Sequence, residues 1–398
     1  MNFFRTAFIS FPFLFSSSIS ASEWVKITVP ETGVYEITYE ELREMGFSNP
    51  EGVGLIGRGG QPLAINHEND LFGIHPEVPV IHENGRLYFH AFGPESFSFK
   101  KIESIPTGTI SGRFVNNGRN IYSDSGYYFL TDSPGSLLKM TETSDSSTTT
   151  KEATCGIGFV CHEIDMAQNS TDTGNLYWGE SFNRGNPSER EWRVNIPEAD
   201  TGMKGMMECV FYTEKDSDGT LTFGTDAPEG KKQIDKCTAT SNNLTPVSGC
   251  VAPVAVKNGD NVVTVAYSST DNKTGVANLD YWILSYQRNF KDSSLPGPCG
   301  MTAFPAATAR ESLRLKAAPS LRGIDITNPA SPSLLNYSDG AFTISSSGET
   351  PVVTFFDTSE TQKKIASWEK TIHHPGNSTL SEISTKGADL LIICPTDC

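Results

Sequence analysis

The chain reads as mainly β, with a β-rich N-terminal domain followed by an antiparallel β-sandwich of the jelly-roll kind. Three observations predict this. Its 398 residues include 35 Gly and 23 Pro but only 20% charged residues, a composition that makes turns and short strands rather than long surface helices. Short runs alternate apolar and polar between Gly, Pro and Asn clusters at roughly ten-residue spacing, the period of a sandwich. Apolar recurrence at helical spacing is confined to short stretches near residues 40 and 365.

The first 21 residues carry Arg5, an apolar run over 6–15 and small residues from Ser16, the pattern of a secretory signal peptide cleaved near Ala21. An N-terminal domain is predicted over 22–140. Within it, residues 24–29 and 34–38 flank Pro30-Glu31-Thr32-Gly33 and read as a hairpin. Thr38 and Glu41 form a capping box, Leu42 and Met45 face inward, and Gly46 ends this short helix. Strands follow at 53–57, entering the turn Arg58-Gly59-Gly60, and at 87–92 and 127–131. Residues 141–154 are nearly all Ser, Thr, Asp, Glu and Lys and read as a polar linker or loop.

A sandwich domain is predicted over 155–319, with strands at 191–196, 206–213, 220–223, 261–268 and 279–286. Residues 320–384 form a smaller β segment, with strands at 321–326, 341–344 and 351–356. One helix is expected over 360–372, placing Ile365, Trp368 and Ile372 on one face. In 385–398, Gly387 precedes Leu390-Leu391-Ile392-Ile393 and Cys394-Pro395, which is how a parallel strand buried on both faces begins. Such a strand needs helices above and below it, so these residues are expected to be the first strand of a second kind of domain that the sequence does not contain.

A net charge of −16 excludes nucleic acid and anionic lipid as partners, because both reward clustered Lys and Arg. No stretch after the leader is long and apolar enough to span a bilayer, so a secreted or cell-surface protein is expected. An exported chain with eight cysteines permits disulfides. The closest pairs upstream of the C-terminal strand, Cys155 with Cys161 and Cys237 with Cys250, are candidates, and the connectivity stays open.

No metal or cofactor site is expected, since no Cys-x-x-Cys or ordered Cys/His set occurs. His162-Glu163 lacks the second histidine of a zinc-protease helix, residue 166 being Met. Asp216-x-Asp218-Gly219 lacks the spacing and terminal glutamate of a calcium loop and reads as a hairpin turn. His373 and His374, neighbours on a helix, diverge by ~100° and do not share one ligand. Cys398 has only Asp397 beside it, which cannot activate a thiol. Tyr177, Trp178 and Trp282 are read as filling the space between sheets rather than lining a sugar-binding face. Asp325 and Asn328, around Thr327 and Pro329, are read as satisfying a tight turn.

Six segments occur in an order that points to one group. They are Val25-Lys26-Ile27 with Glu31-Thr32-Gly33-Val34-Tyr35; Tyr88-Phe89-His90-Ala91-Phe92-Gly93-Pro94; Asn120-Ile121-Tyr122-Ser123 with Tyr127-Tyr128-Phe129-Leu130; His162-Glu163 with Trp178-Gly179-Glu180-Ser181-Phe182; Leu279-Asp280-Tyr281-Trp282; and Asp325-Ile326-Thr327-Asn328-Pro329. Together they resemble the gingipain family of exported cysteine peptidases, its type IX secretion sortases in particular. Ala388-Asp389-Leu390-Leu391-Ile392-Ile393 is similar to the first strand of that family's caspase-like α/β peptidase domain. Cys394 and Cys398 depart from the pattern there.

In that family the catalytic His and Cys lie beyond this strand, so the resemblance assigns no catalytic residue here. It implies structural roles for Trp178, Gly179, Glu180, Asp280, Tyr281, Asp325, Thr327, Asn328 and Pro329. It further implies a non-catalytic region that supports or shields a downstream peptidase domain, with exported protein substrates or outer-membrane secretion components as partners. The alternative expectation is a secreted sandwich that binds glycan or a surface partner.

Overall fold

The computed structural model describes residues 23–61, 76–133, 135–143, 147–165, 167–168, 177–183, 186–213, 219–226, 233–239, 247–269 and 275–371. The residues expected to form a leader, Met166, Asp216, Asp218, His373, His374, the apolar run Leu390-Leu391-Ile392-Ile393, Cys394 and Cys398 lie outside the described residues.

Two small sheets share the N-terminal core. In one, Trp24–Val29 lies between Ser367–Lys370 and Gly126–Thr131, with Gly54–Gly59 and Glu77–Val78 beyond. In the other, Arg86–Ala91 lies between Gly33–Thr38 and Ile81–Glu83. The hairpin expected from residues 24–38 is therefore corrected, because its two arms belong to different sheets. Val25, Ile27 and Val29 on one arm and Tyr35 and Ile37 on the other enter the same core. The link through Pro30 carries the chain from one layer to the next instead of folding it back within a layer. The helix Tyr39–Glu44 starts as expected, with Thr38 and Glu41 in a reciprocal capping box, and buries Leu42.

The sandwich pairs a nine-stranded sheet with a four-stranded one. The larger runs Val247–Val254, Gly205–Thr213, Ala277–Asn289, Cys155–Glu163, Cys299–Ala303, Val352–Asp357, Leu321–Asp325 and Ser333–Leu334, with Ser181–Phe182 on the flank of Ala277–Asn289. The smaller runs Glu189–Ile196, Gly259–Ser269, Gly219–Thr225 and Gln233–Ala239. Alternate residues meet between them: Met207, Cys209 and Phe211 from one sheet, Val263, Val265 and Tyr267 from the other. Each large apolar side chain closed off there contributes about 1.5–3 kcal/mol over leaving it in water.

The larger sheet continues across the expected boundary at residue 319, because Leu321–Asp325 and Val352–Asp357 hydrogen-bond into it. A further sheet, of Thr149–Glu152, Glu311–Lys316, Ala341–Ile344 and Asn336–Ser338, covers its far end around Phe304, Leu321, Val353 and Phe355.

Two more expectations need correction. The polar stretch 141–154 is not all linker, since Thr149–Glu152 pairs in parallel with Glu311–Lys316. Its polarity marks an edge strand that pairs through backbone while all four side chains stay exposed. The helix expected over 360–372 is absent through residue 371, and Ser367–Lys370 instead adds a strand to Trp24–Val29. A helix of that length is marginal alone, and a free sheet edge competes with it for the same backbone groups. Among the described residues no helix is long and apolar enough to cross a membrane.

Candidate functional site

Three segments far apart in sequence meet at one end of the sandwich. Cys155–Glu163 runs antiparallel to Ala277–Asn289, with His162 opposite Trp282 and Glu163 opposite Tyr281. The chain at 178–180 closes alongside: Gly179 N donates to Leu279 O at 2.7 Å, and Leu279 N donates to Glu180 O at 2.9 Å. A Cβ on Gly179 would lie 2.8 Å from Ile164 O and 3.3 Å from Leu279 O, so this approach needs glycine.

On the sandwich side, His162 Nε2 lies 2.9 Å from Glu180 Oε1. The imidazole stacks on Trp282 with centroids 5.8 Å apart and tilts against Trp192 at 4.9 Å. Burial alone would raise the Glu180 carboxyl. The hydrogen bond and charge of His162, with Arg190 nearby, outweigh it and hold Glu180 below the usual range. Trp178 stacks on Tyr212 at 4.9 Å. With Trp178 at 3% and Trp282 at 0% exposure, these indoles fill the core and present no face to a sugar.

The other side of the sheet is acidic, and a bulge makes it so. Tyr281 opposes Val210 and Leu279 opposes Phe211, which leaves Asp280 as an extra residue without a counterpart. A bulge turns two successive side chains to one face. Leu279 and Trp282 enter the sandwich core, Tyr281 packs on the opposite face with Ile283, and Asp280 meets Glu163 and Asp165 there. One oxygen from each of these three carboxylates lies within 4.8 Å of the others.

Asn116 Nδ2 donates to Glu163 Oε2 at 2.6 Å, and Arg119 Nε lies 4.0 Å from Asp165. Burial pushes the carboxyls of Glu163 and Asp280 each up to about 7, with neighbouring carboxylates adding to the effect. Such a group holds protons near neutrality, and its donor set is of the hard-oxygen type that a divalent cation takes. Asp165 and Asn116 carried no signal in the sequence. The break in alternation across Leu279-Asp280-Tyr281-Trp282 was the visible trace of the bulge.

The segment Asp325-Ile326-Thr327-Asn328-Pro329 lies elsewhere, at the end of Leu321–Asp325. Asp325 Oδ1 accepts from Thr327 N at 2.8 Å and from Thr327 Oγ1 at 2.5 Å, and Asn328 Oδ1 accepts from Ala330 N at 3.1 Å. Thr327 Oγ1 in turn accepts from Val352 N at 2.9 Å. These are the bonds of a tight turn fastened to the next strand. Cys155 and Cys161 are free thiols at separate points of one strand, so they do not pair with each other as the sequence suggested, and burial pushes both thiols up. Cys250 is disulfide-bonded, and the Cys237 side chain lies outside the described residues.

Neither a protein-family profile nor a curated protein matches the chain. Among solved structures, dimeric latent PorU from Porphyromonas gingivalis covers 88% of this chain with a TM-score of 0.68 at 21% identity. The fold is shared with PorU. At that identity the likeness is one of fold, and the chain spans about a third of the PorU chain, 33%. The CBM35 from Cellvibrio japonicus Abf62 matches at 11% identity over 35% of this chain and 95% of its own, with a TM-score of 0.23. The CBM36-1 domain of a xylanase from the Trinervitermes trinervoides hindgut metagenome matches at 14% over 32% and 95%, with a TM-score of 0.22. Overlaps that slight carry no weight for fold or function.

Proposed function

We propose that this chain is the non-catalytic β-rich region of an exported, gingipain-like cysteine peptidase of the type IX secretion sortase kind, which holds or shields a peptidase domain in the full-length gene product. One observation carries the reading. The fold of PorU accounts for 88% of the chain, N-terminal sheets and sandwich together, while using only 33% of PorU, which leaves room for a separate catalytic part. The order of the six sequence segments supports it independently. Catalysis by thiolate attack would belong to that separate part. Residues 23–371 would supply its platform, and exported proteins would be its substrates.

The test uses the full-length gene product in its own cell. Deleting 23–371 should abolish processing of exported proteins at the cell surface, and supplying the region on a second chain should restore part of it. Processing that continues unchanged after the deletion would overturn the reading.

A further inference from the structure

Pairing between Cys155–Glu163 and Cys299–Ala303 is confined to Ile157 opposite Ala303. Past that point the second strand bulges between Cys299 and Thr302 while staying paired with Val352–Asp357 on its far side, and the two strands part. The cavity between them holds about 550 Å³. Phe159, Val160 and Cys161 all border it, and so do Cys299, Gly300 and Met301. Consecutive strand residues point to opposite faces, so three in a row border one space only where that space runs along the strand's edge. The cavity is thus a gap in the sheet, flanked by backbone on both sides. Residues 159–161 make no backbone pairing toward it among the described residues.

Two polar side chains more than nine-tenths buried also line the gap with hydrogen-bonding atoms unused. Arg288 is 7% exposed. Its Nη2 donates to Tyr286 Oη at 2.9 Å, its guanidinium also faces the Cys299 thiol, and Nε is ion-paired with Glu198 at 3.8 Å but has no hydrogen-bond partner. His90 is 1% exposed, and neither ring nitrogen is bonded. A buried donor left without a partner is costly, so two such side chains on one cavity call for a ligand group.

We propose that this gap binds an extended peptide bearing a free carboxylate, its backbone adding a strand beside residues 159–161 and its carboxylate taking the Nε–H of Arg288. Strand addition supplies what a parted sheet lacks, and a guanidinium–carboxylate bond is charge-assisted. The other anions at the gap are already engaged, Glu31 with Lys363 and Glu95 with Arg119. The volume falls within the range of small-ligand sites, and the position, between the N-terminal unit and the sandwich, is a common one for them. The inference stands apart from the peptidase reading, since it needs only these residues.

The test titrates the chain with an acetylated hexapeptide of alternating Thr and Val, as free acid and as C-terminal amide, by calorimetry and by the Arg288 Nε–H resonance. The acid should bind at least tenfold tighter than the amide and shift that resonance. Arg288→Gln should bring the acid down to the amide's affinity. Gly300→Phe should abolish binding of both, and the Cβ it adds meets nothing within 4 Å, so it serves if the Arg288 variant does not fold. Equal affinity of acid and amide, undiminished binding by the Gly300→Phe chain, or no binding of either peptide would overturn the proposal.

Discussion

Lys364 brings its ammonium to 3.1 Å from the carboxylate of Glu36, a side chain only 2% exposed that Arg86 also holds at 3.0 Å. Around this pair, Lys363 reaches Glu31, Lys370 lies 3.6 Å from Glu23, and Glu369 meets Lys26 at 3.0 Å. The described C-terminal segment is therefore clasped to the N-terminal sheet by charge as well as by strand pairing. Exposed pairs of this kind contribute at most about 1 kcal/mol each, but a buried carboxylate between two cations is costlier to disturb. Glu36→Gln should destabilise by about 1–3 kcal/mol, and Lys370→Ala by less than about 1 kcal/mol. In 1 M salt, hydrogen exchange should quicken at Ser367–Lys370 and stay unchanged in Gly205–Thr213. Equal quickening in both strands would refute the clasp.

His90 sets an acid limit. Burial pushes its imidazole down to about 3 from an ordinary 6.5. The folded chain thus resists a proton that the unfolded chain accepts, so stability is present above pH 6.5 and is lost as pH falls toward 3. Between pH 6.5 and 4.5 this one group should remove about 2 kcal/mol. His90→Leu should flatten that part of the stability–pH curve, measured by urea unfolding at each pH. A curve that keeps its acid slope in the variant would assign the loss to other groups.

Much of this architecture was legible because burial imposes period 2. Strands such as 341–344 and 206–213 were placed to within a residue or so, as the core takes every second side chain. The Thr38–Glu41 box was readable for a different reason, its bonds being local. What alternation does not carry is partnership: residues 24–29 have the pattern of a strand whether they pair with 34–38 or, as they do, with Gly126–Thr131. Ser367–Lys370 was misread because its four exposed side chains leave no burial pattern to report an edge strand. The acidic trio was hidden because it depends on one extra residue at Asp280, which moves a side chain across the sheet without changing composition.

Two members of that trio, Glu163 and Asp280, should titrate near neutrality with the opposite sign to His90. Glu163 and Asp280 are each pushed up to about 7, above the ordinary carboxylate range that the unfolded chain shows. The folded chain therefore holds more protons than the unfolded one between about pH 4 and 7, and stability falls as pH rises through that window. Replacing Glu163 and Asp280 together by Gln and Asn removes the two titrations. The double variant should gain on the wild type as pH rises from 5 to 8, read as a rising difference in urea midpoint. A constant difference across that range would mean that the carboxyls ionise normally in the folded chain.

Gly179 offers the sharpest structural test of the site. A methyl group there meets Ile164 O at 2.8 Å and Leu279 O at 3.3 Å, both backbone atoms that cannot rotate away. The segment carrying Trp178 and Glu180 would have to retreat from Ala277–Asn289, stretching the 2.7 and 2.9 Å hydrogen bonds to Leu279 and drawing Glu180 away from His162. Overpacking of this kind costs about 1–3 kcal/mol. Gly300→Ala, whose added Cβ has open space around it, is the control and should change stability by less than about 0.5 kcal/mol. Gly179→Ala should also change the near-ultraviolet circular dichroism, because Trp178 would move against Tyr212. If both alanine variants unfold at the same urea concentration as the wild type, the segment is not held against Leu279 in the way the backbone distances require.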